Sequence, residues 1–415
     1  MPKYTEYYDG EIFNTCTVDA YTTNSKYNAF TRLESVAYWK SLFRDIFMPR
    51  GYPQSVSPDY MNYQIWDTIQ AFASSMSSAL ATEAILRGVG VGNETASTMA
   101  AAVAWLLRDG IGMLTRILFA WFYSPYLDAD CKQWRLIADC FNDLAFCLDL
   151  ITPIFPNLFM PIVCLSSMVR GVVGVAGGAT RTAVVNHQAI LDNVGDVAAK
   201  DGSQETLINI FALFCSLLLL PIVNGNICVW LLFCIFTFIH LYGNYRAVKS
   251  LQFRTLNQSL LQIIVKNYAE TKKIDTVSKV NNKESMLLHW NSSRRYYGCR
   301  LSDVVTSSDE FSFVCSKFTV ICDLRSNYGY VSMASISDTS DQLRAALCLE
   351  LMLNTRTLPS PAELDEFIEG LKVEGWLVNK HRLVFDCWTY SEKFTEMLLH
   401  GGCRMTNKLQ KKLFD

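Results

Sequence analysis

One stretch of the chain, residues 206–245, contains no Asp, Glu, Lys or Arg. It consists of two apolar arms, TLINIFALFCSLLLLPIV and ICVWLLFCIFTFIHLYGNY, around the turn-forming residues 224–226. Each arm of about 17–19 residues would form a helix of about 27 Å, close to the roughly 30 Å hydrocarbon core of a bilayer. The stretch therefore predicts a membrane helical hairpin. A buried hairpin in a soluble all-helical protein is the alternative.

The segments around this hairpin differ in character. Residues 68–82 and 95–107 are rich in small side chains, which let membrane helices pack closely. A basic stretch follows the hairpin, and the positive-inside bias then predicts a cytosolic C-terminal part. The predicted fold class is mostly α, with a multi-helix membrane-embedded domain followed by a small α+β domain. The predicted regions are a polar N-terminal segment (1–59), the helical membrane domain (60–250), a basic linker (251–300) and the α+β domain (301–415).

The predicted α+β domain carries one explicit helix start. Ser360 can cap a helix, Pro361 suits its first position, and Glu363 completes the capping pattern. Gly375 is placed to end that helix. A short strand is expected around Val384.

Composition excludes some partners and compartments. Charged residues make up 18% of the chain and the net charge is −2, so there is no basic excess to neutralise phosphates, and nucleic acid is not expected as a partner. The 14 cysteines form no CxxC pair and predict free thiols in a reducing compartment. The first residues are polar and lack the apolar core of a secretory signal. We therefore expect an intracellular membrane.

A faint repeat relates two parts of the predicted membrane domain. An offset of 92 residues aligns Ser74–Met76 with Ser166–Met168 and Arg108-Asp109-Gly110 with Lys200-Asp201-Gly202. This pattern indicates an internal duplication, as in transporters built from two repeats. The sequence leaves open whether the repeats are parallel or inverted. Chance similarity among apolar helices is the alternative.

Charged residues around the repeated segments are candidates for a ligand or transport pathway, because charges at membrane depth are costly and often functional. Asp109 and Asp201 are also expected at helix starts, where an aspartate can cap free N–H groups. Capping is the structural alternative for this pair. The full set of candidates is Arg108, Asp109, Arg116, Arg181, His187, Lys200, Asp201 and Glu205.

No motif specifies an enzyme. The chain contains no HExxH, GxSxG or Walker-type phosphate loop, and no metal-ligand spacing. Asp139 and Asp143 share one helix face and could serve acid–base work or a cation, but the polar face of an amphipathic helix is the simpler interpretation. Lys200, as a Schiff-base lysine for pyridoxal phosphate, is the weakest hypothesis. We predict no enzyme activity, no cofactor and no metal.

Several long segments resemble the root UV-B sensitive (RUS) family. They include DTIQAFASSMSSALATEAILRGVGVG, AAAVAWLLRDGIGMLTRILFAW, GVAGGATRTAVVNHQA and HLYGNYRAVKSL. The resemblance covers roughly residues 60–260, and the short N-terminus is similar to that of animal members. It implies a link to vitamin B6 homeostasis and, in plants, to seedling growth under UV-B and to auxin transport. It implies no catalytic residues.

The sequence thus supports two hypotheses from different classes. The first is a carrier-like or channel-like membrane protein, favoured by the uncharged hairpin and the repeat. The second is a membrane-anchored adaptor that acts through its C-terminal domain. The expected partners are membrane lipid, a small-molecule ligand, and other family members or a second copy of the chain.

Overall fold

The computed structural model describes residues 3–8, 11–17, 36–89, 98–223, 225–286, 294–300, 311–324 and 327–391. An antiparallel hairpin of β1 (Lys3–Tyr8) and β2 (Glu11–Thr17) comes first, followed by α1 (Val36–Phe47). The rest consists of a bundle of long helices and a C-terminal α/β region. The predicted mostly helical fold with a strand-containing C-terminal region is confirmed.

The bundle has six long helices in the described residues. Two short 3-10 turns, each with a proline at its start, join the third helix to the fourth because proline cannot continue a helix interior. The helices are α2 (Tyr60–Val89), α3 (Thr98–Ala129), α4 (Cys131–Ile151), α5 (Phe159–Gln188), α6 (Val194–Leu219) and α7 (Asn226–Ser250).

The first and the fourth of these helices, α2 and α5, run in opposite directions. The amide of Ser57, just before α2, donates to the carbonyl of Gln188 at the end of α5 (2.9 Å). At the other end, a Cβ on Gly88 would stand 2.7 Å from the ring of Phe159, where α5 begins. These contacts make α2 and α5 antiparallel. We call the end where α2 begins the proximal end, and the other the distal end.

Helices α2 and α6 run side by side in the same direction. The Gln204 side-chain amide of α6 lies 3.3 Å from the hydroxyl of Tyr60 at the start of α2. Further along, the Ser216 hydroxyl of α6 contacts the sulfur of Met76 on α2. Residue numbers rise together along both helices, so α2 and α6 are parallel neighbours.

The contact between α3 and α5 is also parallel, and it depends on glycine. A Cβ on Gly112 would lie 2.7 Å from the Ser167 hydroxyl, and one on Gly171 would lie 2.9 Å from the Gly112 carbonyl oxygen. Arg116 lies over Gly174 one turn further along. Small residues let the two backbones approach this closely. Gly171 and Gly174 of α5 are therefore part of a helix interface.

The remaining large contacts of the bundle are antiparallel. α7 packs against α2, where Gly243 lies against the backbone and Cβ of Gln70. α4 packs against α5, where the Cys131 thiol approaches the carbonyl of Thr180. α4 and α7 also contact each other and form the centre of the bundle.

Three of these helices are long and apolar enough to cross a membrane: Pro156–Gln188, which includes the turn before α5, Val194–Leu219 and Asn226–Ser250. The predicted hairpin corresponds to the last two. Their outward side chains are apolar, with Leu218 72% exposed and Ile227 87% exposed. A water-soluble fold rarely leaves so large a contiguous apolar surface in water.

The C-terminal region consists of β3 (Thr255–Leu256), α8 (Gln258–Thr271), α9 (Val277–Lys283), β4 (Arg295–Tyr297), β5 (Phe311–Val314), β6 (Phe318–Asp323), β7 (Tyr328–Ala334), α10 (Thr339–Thr355), α11 (Pro361–Val373), β8 (Leu377–His381) and β9 (Thr389–Tyr390). A mixed sheet has the strand order β4-β7-β6-β5, with β9 also pairing with β7, and β3 and β8 form a small parallel pair. Helix α10 is largely buried against the mixed sheet.

Two local features of this region bear on the sequence predictions. The Ser360 hydroxyl accepts a hydrogen bond from the backbone amide of Glu363 (3.1 Å), so the predicted cap of α11 is confirmed. The strand expected around Val384 is wrong, because β8 lies earlier and ends at His381. Helices α8 and α9, in the stretch read as a basic linker, contribute Leu260 and Val280 to the core of the C-terminal region.

Candidate functional site

Asp109 and Asp201 lie inside helices, so the expectation that they cap helix starts is wrong. Helix α3 begins at Thr98 and helix α6 at Val194, well before the two aspartates. Backbone N–H groups in a helix interior already bond to carbonyls one turn earlier, and a carboxylate there has no free N–H to cap. Lys200, Asp201 and Gly202 likewise form part of a helix and not a turn.

Three of the predicted site residues meet in one ion-pair cluster between α5 and α6. Arg181 reaches from α5 to Asp201 (2.6 Å) and to Glu205 (2.6 Å), which lie one turn apart on α6. Gln64 of α2 donates to the other Asp201 oxygen (3.1 Å). Asp201 is buried, whereas Arg181 and Glu205 are close to half-exposed. We call Arg181, Asp201, Glu205 and Gln64 the α5–α6 cluster.

The other predicted residues at the proximal end lie elsewhere. Lys200 turns away from the cluster and donates to the carbonyl of Asp45, before α2. His187 bonds through Nε2 to Asp59 (2.9 Å), and its ring packs edge-on against Phe253. The Ser57 hydroxyl donates to Asp59 and not to His187, so these groups do not form the relay that activates a serine nucleophile.

Asp59 is the acceptor at the centre of this second arrangement. Burial acts to raise the pKa of the Asp59 carboxyl, but hydrogen bonds from His187, Ser57 and the Gln252 amide, with the charge of His187, outweigh it. The net effect is a lowered pKa, because each donor favours the carboxylate. Asp59 therefore stays ionised and ties the start of α2 to the ends of α5 and α7.

The predicted residues of α3 remain apart from both groups. The Arg108 guanidinium lies over the ring of Trp105 (4.4 Å), and its carbonyl accepts the Ser167 hydroxyl (2.6 Å). Arg116 is exposed beside Gly174. Asp109 is exposed and makes no ion pair or hydrogen bond with any residue that the structure describes.

Sequence reasoning missed a polar cluster at the centre of the bundle, where α2, α4 and α7 meet. His240 Nδ1 lies 2.9 Å from both oxygens of Asp143, and its Nε2 lies 3.8 Å from Asp139. Arg135 pairs with Asp67 (2.8 Å) beside them. We call these five residues, together with Gln70 and Asn244, the central cluster.

One signal in the sequence pointed to the central cluster. His240 is the sole histidine within the uncharged stretch 206–245, and Asp139 and Asp143 share a helix face. Only the fold shows that this face turns inward towards α7. A further ion pair, Arg170 with Asp149, links α5 to α4 nearer the distal end.

Neither cluster has the composition of a metal centre. Among the described residues, no group of three or more His, Cys, Asp and Glu side chains is arranged to hold a metal ion. What the clusters offer is charge and hydrogen bonding inside a helical bundle. Such groups suit the binding or passage of a polar solute or an ion.

The fold and these clusters define a class of proteins: helical bundles with buried polar networks and with helices apolar enough to cross a membrane. A family profile described as the vitamin B6 photo-protection and homoeostasis domain matches residues 34–272, which is more than half of the chain. The chain belongs to this family, the root UV-B sensitive (RUS) family. The resemblance read from the sequence is confirmed.

Relatives from plants and from an amoeba support this assignment. Protein root UVB sensitive 3 of Arabidopsis thaliana is 38% identical over 286 residues, which cover 69% of this chain and 64% of the relative. RUS family member 1 of Dictyostelium discoideum is 38% identical over 269 residues, covering 64% of this chain and 51% of the relative. The alignments thus span about half to two thirds of these relatives. No solved structure matches the chain significantly.

Proposed function

We propose that this chain is a non-enzymatic, multi-span membrane protein that carries a small solute of the vitamin B6 type. The solute class comes from the description of the family that the chain matches. The membrane location is supported by three helices with the length and composition of membrane spans. The basic residues near the proximal end, among them Arg246, Lys249 and Arg254, support a cytosolic C-terminal region.

The observation that carries the proposal is how the helices of the two halves of the bundle, α2–α4 and α5–α7, pack against each other. In the first half, α2 packs parallel to α6 and antiparallel to α7. In the second half, α5 packs parallel to α3 and antiparallel to α4. Exchanging α2 with α5, α3 with α6, and α4 with α7 converts these contacts of α2 into those of α5. Because α2 and α5 are antiparallel, the halves are related as inverted repeats would be.

Hydrogen bonds from one pair of aligned serines join the same pairs of helices. Ser75 of α2 and Ser167 of α5 are aligned by the offset of 92 residues. The Ser75 hydroxyl donates to Asn209 on α6 (2.7 Å), and the Ser167 hydroxyl donates to the Arg108 carbonyl on α3 (2.6 Å). Ser75 of α2 thus bonds to α6, and Ser167 of α5 bonds to α3, which are the parallel neighbours of the two helices.

Inverted repeats favour a carrier over an anchored adaptor. In transporters of this type, the solute and ion sites lie near the middle of the membrane where the repeats meet, and the repeats rock against each other. Here α4 and α7, the last helices of the two halves, meet through the central cluster. An adaptor would need no charged network at that position.

The first test is integration into the membrane. Membranes containing the full-length chain are washed with alkaline carbonate, which removes peripheral proteins. We expect the chain to stay in the pellet together with a known multi-span protein. Quantitative release into the supernatant would reject both the carrier and a spanning anchor.

The second test is transport. The purified full-length chain is reconstituted into lipid vesicles, and uptake of radiolabelled pyridoxine, pyridoxal and pyridoxal 5′-phosphate is compared with uptake by protein-free vesicles. We expect saturable uptake of at least one of the three, with competition by the unlabelled compound. Uptake equal to that of the protein-free vesicles for all three would reject the proposed solute class.

An adaptor function is the second candidate, favoured by a groove on the C-terminal region. The groove, of about 500 Å³, lies between the β5–β6 turn and the starts of α10 and α11. It combines apolar walls, such as Phe313 and Leu364, with the charges of Lys317 and Arg344. The adaptor is favoured if the double variant K317E/R344E no longer complements a null mutant although its uptake of vitamers into vesicles is unchanged.

A further inference from the structure

We infer that the central cluster is a proton-binding site, with His240 held as an imidazolium between Asp143 and Asp139. This inference deepens the proposed carrier function, because it names the coupling ion of the same site. The geometry of the central cluster supports a bound proton whether or not the chain transports a solute. His240 is 1% exposed, and its two ring nitrogens face carboxylates on the neighbouring helix α4.

The charges around His240 come from both helices that pack against α7. Helix α2 contributes Asp67, and helix α4 contributes Arg135, Asp139 and Asp143. Arg135 is paired with Asp67, which also accepts a bond from the Gln70 side chain (3.2 Å). Arg135 also lies one turn from Asp139 on α4 and attracts its charge. The three carboxylates of the cluster therefore share this one guanidinium, and His240 is the other member of the cluster that can carry a positive charge.

Three carboxylates that share one permanent cation are unstable in the interior of a helical bundle. Burying an unpaired charge is unfavourable and can force the group to take up a proton. With His240 neutral, the five ionisable groups of the cluster sum to a net charge of −2. A proton on His240 reduces this to −1 and places a positive group between the two negative ones.

The distance between His240 and Asp143 favours a proton over a metal cation. The contact between His240 Nδ1 and the Asp143 oxygens, 2.9 Å, is the length of a hydrogen bond. A hard cation between the two groups would hold each ligand at about 2.3–2.6 Å and so push the groups further apart. The direct contact leaves no place for such an ion and suits an N–H donor.

Unsatisfied groups beside His240 indicate that the site can hold more than one arrangement of protons. The Asp139 oxygen nearest His240 is buried and has no hydrogen-bond partner among the described residues. Asn244, one turn from His240, is wholly buried, and its side-chain oxygen also lacks a partner there. A proton moving from His240 to Asp139 would therefore find an acceptor 3.8 Å away.

The position of the site links protonation to the arrangement of the two halves. His240 belongs to α7 of the second half, and both carboxylates belong to α4 of the first. With the proton bound, the imidazolium bridges the halves. When the proton leaves, the neutral ring keeps one N–H donor for Asp143 but loses its charge attraction to both carboxylates, so the contact between α4 and α7 is weakened.

The experiment counts protons. The full-length chain, purified in a neutral detergent, is unfolded with SDS at pH 8 in weakly buffered solution containing a pH-sensitive dye. An unfolded histidine has a pKa of about 6.5 and is neutral at pH 8, so a folded imidazolium must release its proton. We expect the wild type to release about one proton more per chain than H240Q. Equal release would overturn the inference.

Three further variants make the count decisive. H381Q removes a histidine of the C-terminal region whose Nε2 bonds to the neutral Gln342, and it should release as many protons as the wild type. D143N removes the nearest carboxylate and should release fewer. D139N changes a carboxylate whose oxygen nearest His240 has no hydrogen-bond partner among the described residues, so it should fold even where H240Q does not, and it should also release fewer protons.

A separate measurement tests the competing ion. Thermal unfolding is recorded in sodium chloride and in choline chloride at one pH. A sodium-dependent rise in melting temperature that is absent from H240Q and D143N would identify a monovalent cation site and overturn the proton assignment. The proton count uses no solute, so a positive count with no vitamer uptake would reject only the carrier function.

Discussion

Lys132 and Glu284 form a salt bridge of 2.9 Å in which both side chains are 1% exposed. Lys132 lies at the start of α4 in the bundle, and Glu284 follows α9 in the C-terminal region. Asn281 accepts a second bond from Lys132 (2.8 Å), and Asn257 donates one to Glu284 (3.0 Å). This pair therefore joins the bundle to the C-terminal region through charges that water does not reach.

Breaking this pair should destabilise the protein strongly. In K132M the Glu284 carboxylate is left buried without its cation, which costs about 3–5 kcal/mol of unfolding free energy. The double variant K132M/E284L removes both charges and should recover part of that loss. The control is K279M, which removes a half-exposed lysine paired with Asp275 and should cost about 0–1 kcal/mol. Chemical denaturation of the purified chain measures all three, and equal effects of K132M and K279M would contradict this account.

Glycine substitutions in α5 should separate a packing role from helix propensity. In G171A the new Cβ would lie 2.9 Å from the Gly112 carbonyl and 3.0 Å from Thr115, so α3 must move away, at a cost of about 1–3 kcal/mol. Gly178 lies on the same helix and has nothing within 4 Å of a Cβ. G178A should be neutral or up to about 1 kcal/mol stabilising, because alanine favours helix. Melting temperatures of the two variants in detergent test this, and a G171A variant as stable as G178A would refute the tight α3–α5 contact.

Asp130, between α3 and α4, should make stability depend on pH. Burial and the nearby charge of Glu284 raise the pKa of its carboxyl from 3.8 to about 6. The folded state thus holds the proton more tightly than the unfolded state, so stability falls as the pH rises from about 4 to about 6 and stays lower above that. D130N removes this penalty and should stabilise the chain by about 1–2 kcal/mol at pH 7.5, with the gain vanishing near pH 4.

The control for Asp130 lies two residues away. Asp128 is exposed, and D128N should leave the pH dependence of the melting temperature as it is in the wild type. A D130N variant that follows the wild-type curve across this pH range would show that the carboxyl is solvated in the folded chain.

Elements that depend on local pattern were readable from the sequence. The uncharged stretch 206–245 predicted two consecutive apolar helices because their solvent, lipid or protein interior, excludes charge over their whole length. The cap at Ser360 was readable because the side chain bonds to an amide only three residues away. Both signals lie within the segments that they define.

Elements that depend on distant partners were not readable. Asp201 was interpreted as a cap because a helix was expected to start there, whereas its partner Arg181 comes from the preceding helix. The inward direction of Asp143 depends on where α7 packs, and no local pattern in α4 specifies that. His240 is neutral by formal charge, so counting charges hid the one histidine in the hairpin.

The pair Asp109 and Asp201, related by the offset of 92 residues, gives the sharpest test of the predicted pathway residues. D201N keeps an oxygen for Gln64 but presents an amide to Arg181, so the α5–α6 cluster loses one of its two carboxylates. We expect D201N to lower complementation of a null mutant and vitamer uptake at least threefold while protein abundance stays normal, because Glu205 still pairs with Arg181.

The matched variant D109N changes an exposed carboxylate that has no partner among the described residues, and it should keep normal abundance. If α3 faces lipid there, the loss of the charge leaves uptake unchanged or slightly raises stability, because a charge facing hydrocarbon is costly. Loss of uptake in D109N at normal abundance would instead place Asp109 on the pathway beside Arg108. Full uptake by D201N at normal abundance would exclude the α5–α6 cluster from the pathway, and loss of uptake in proportion to abundance would assign it a structural role.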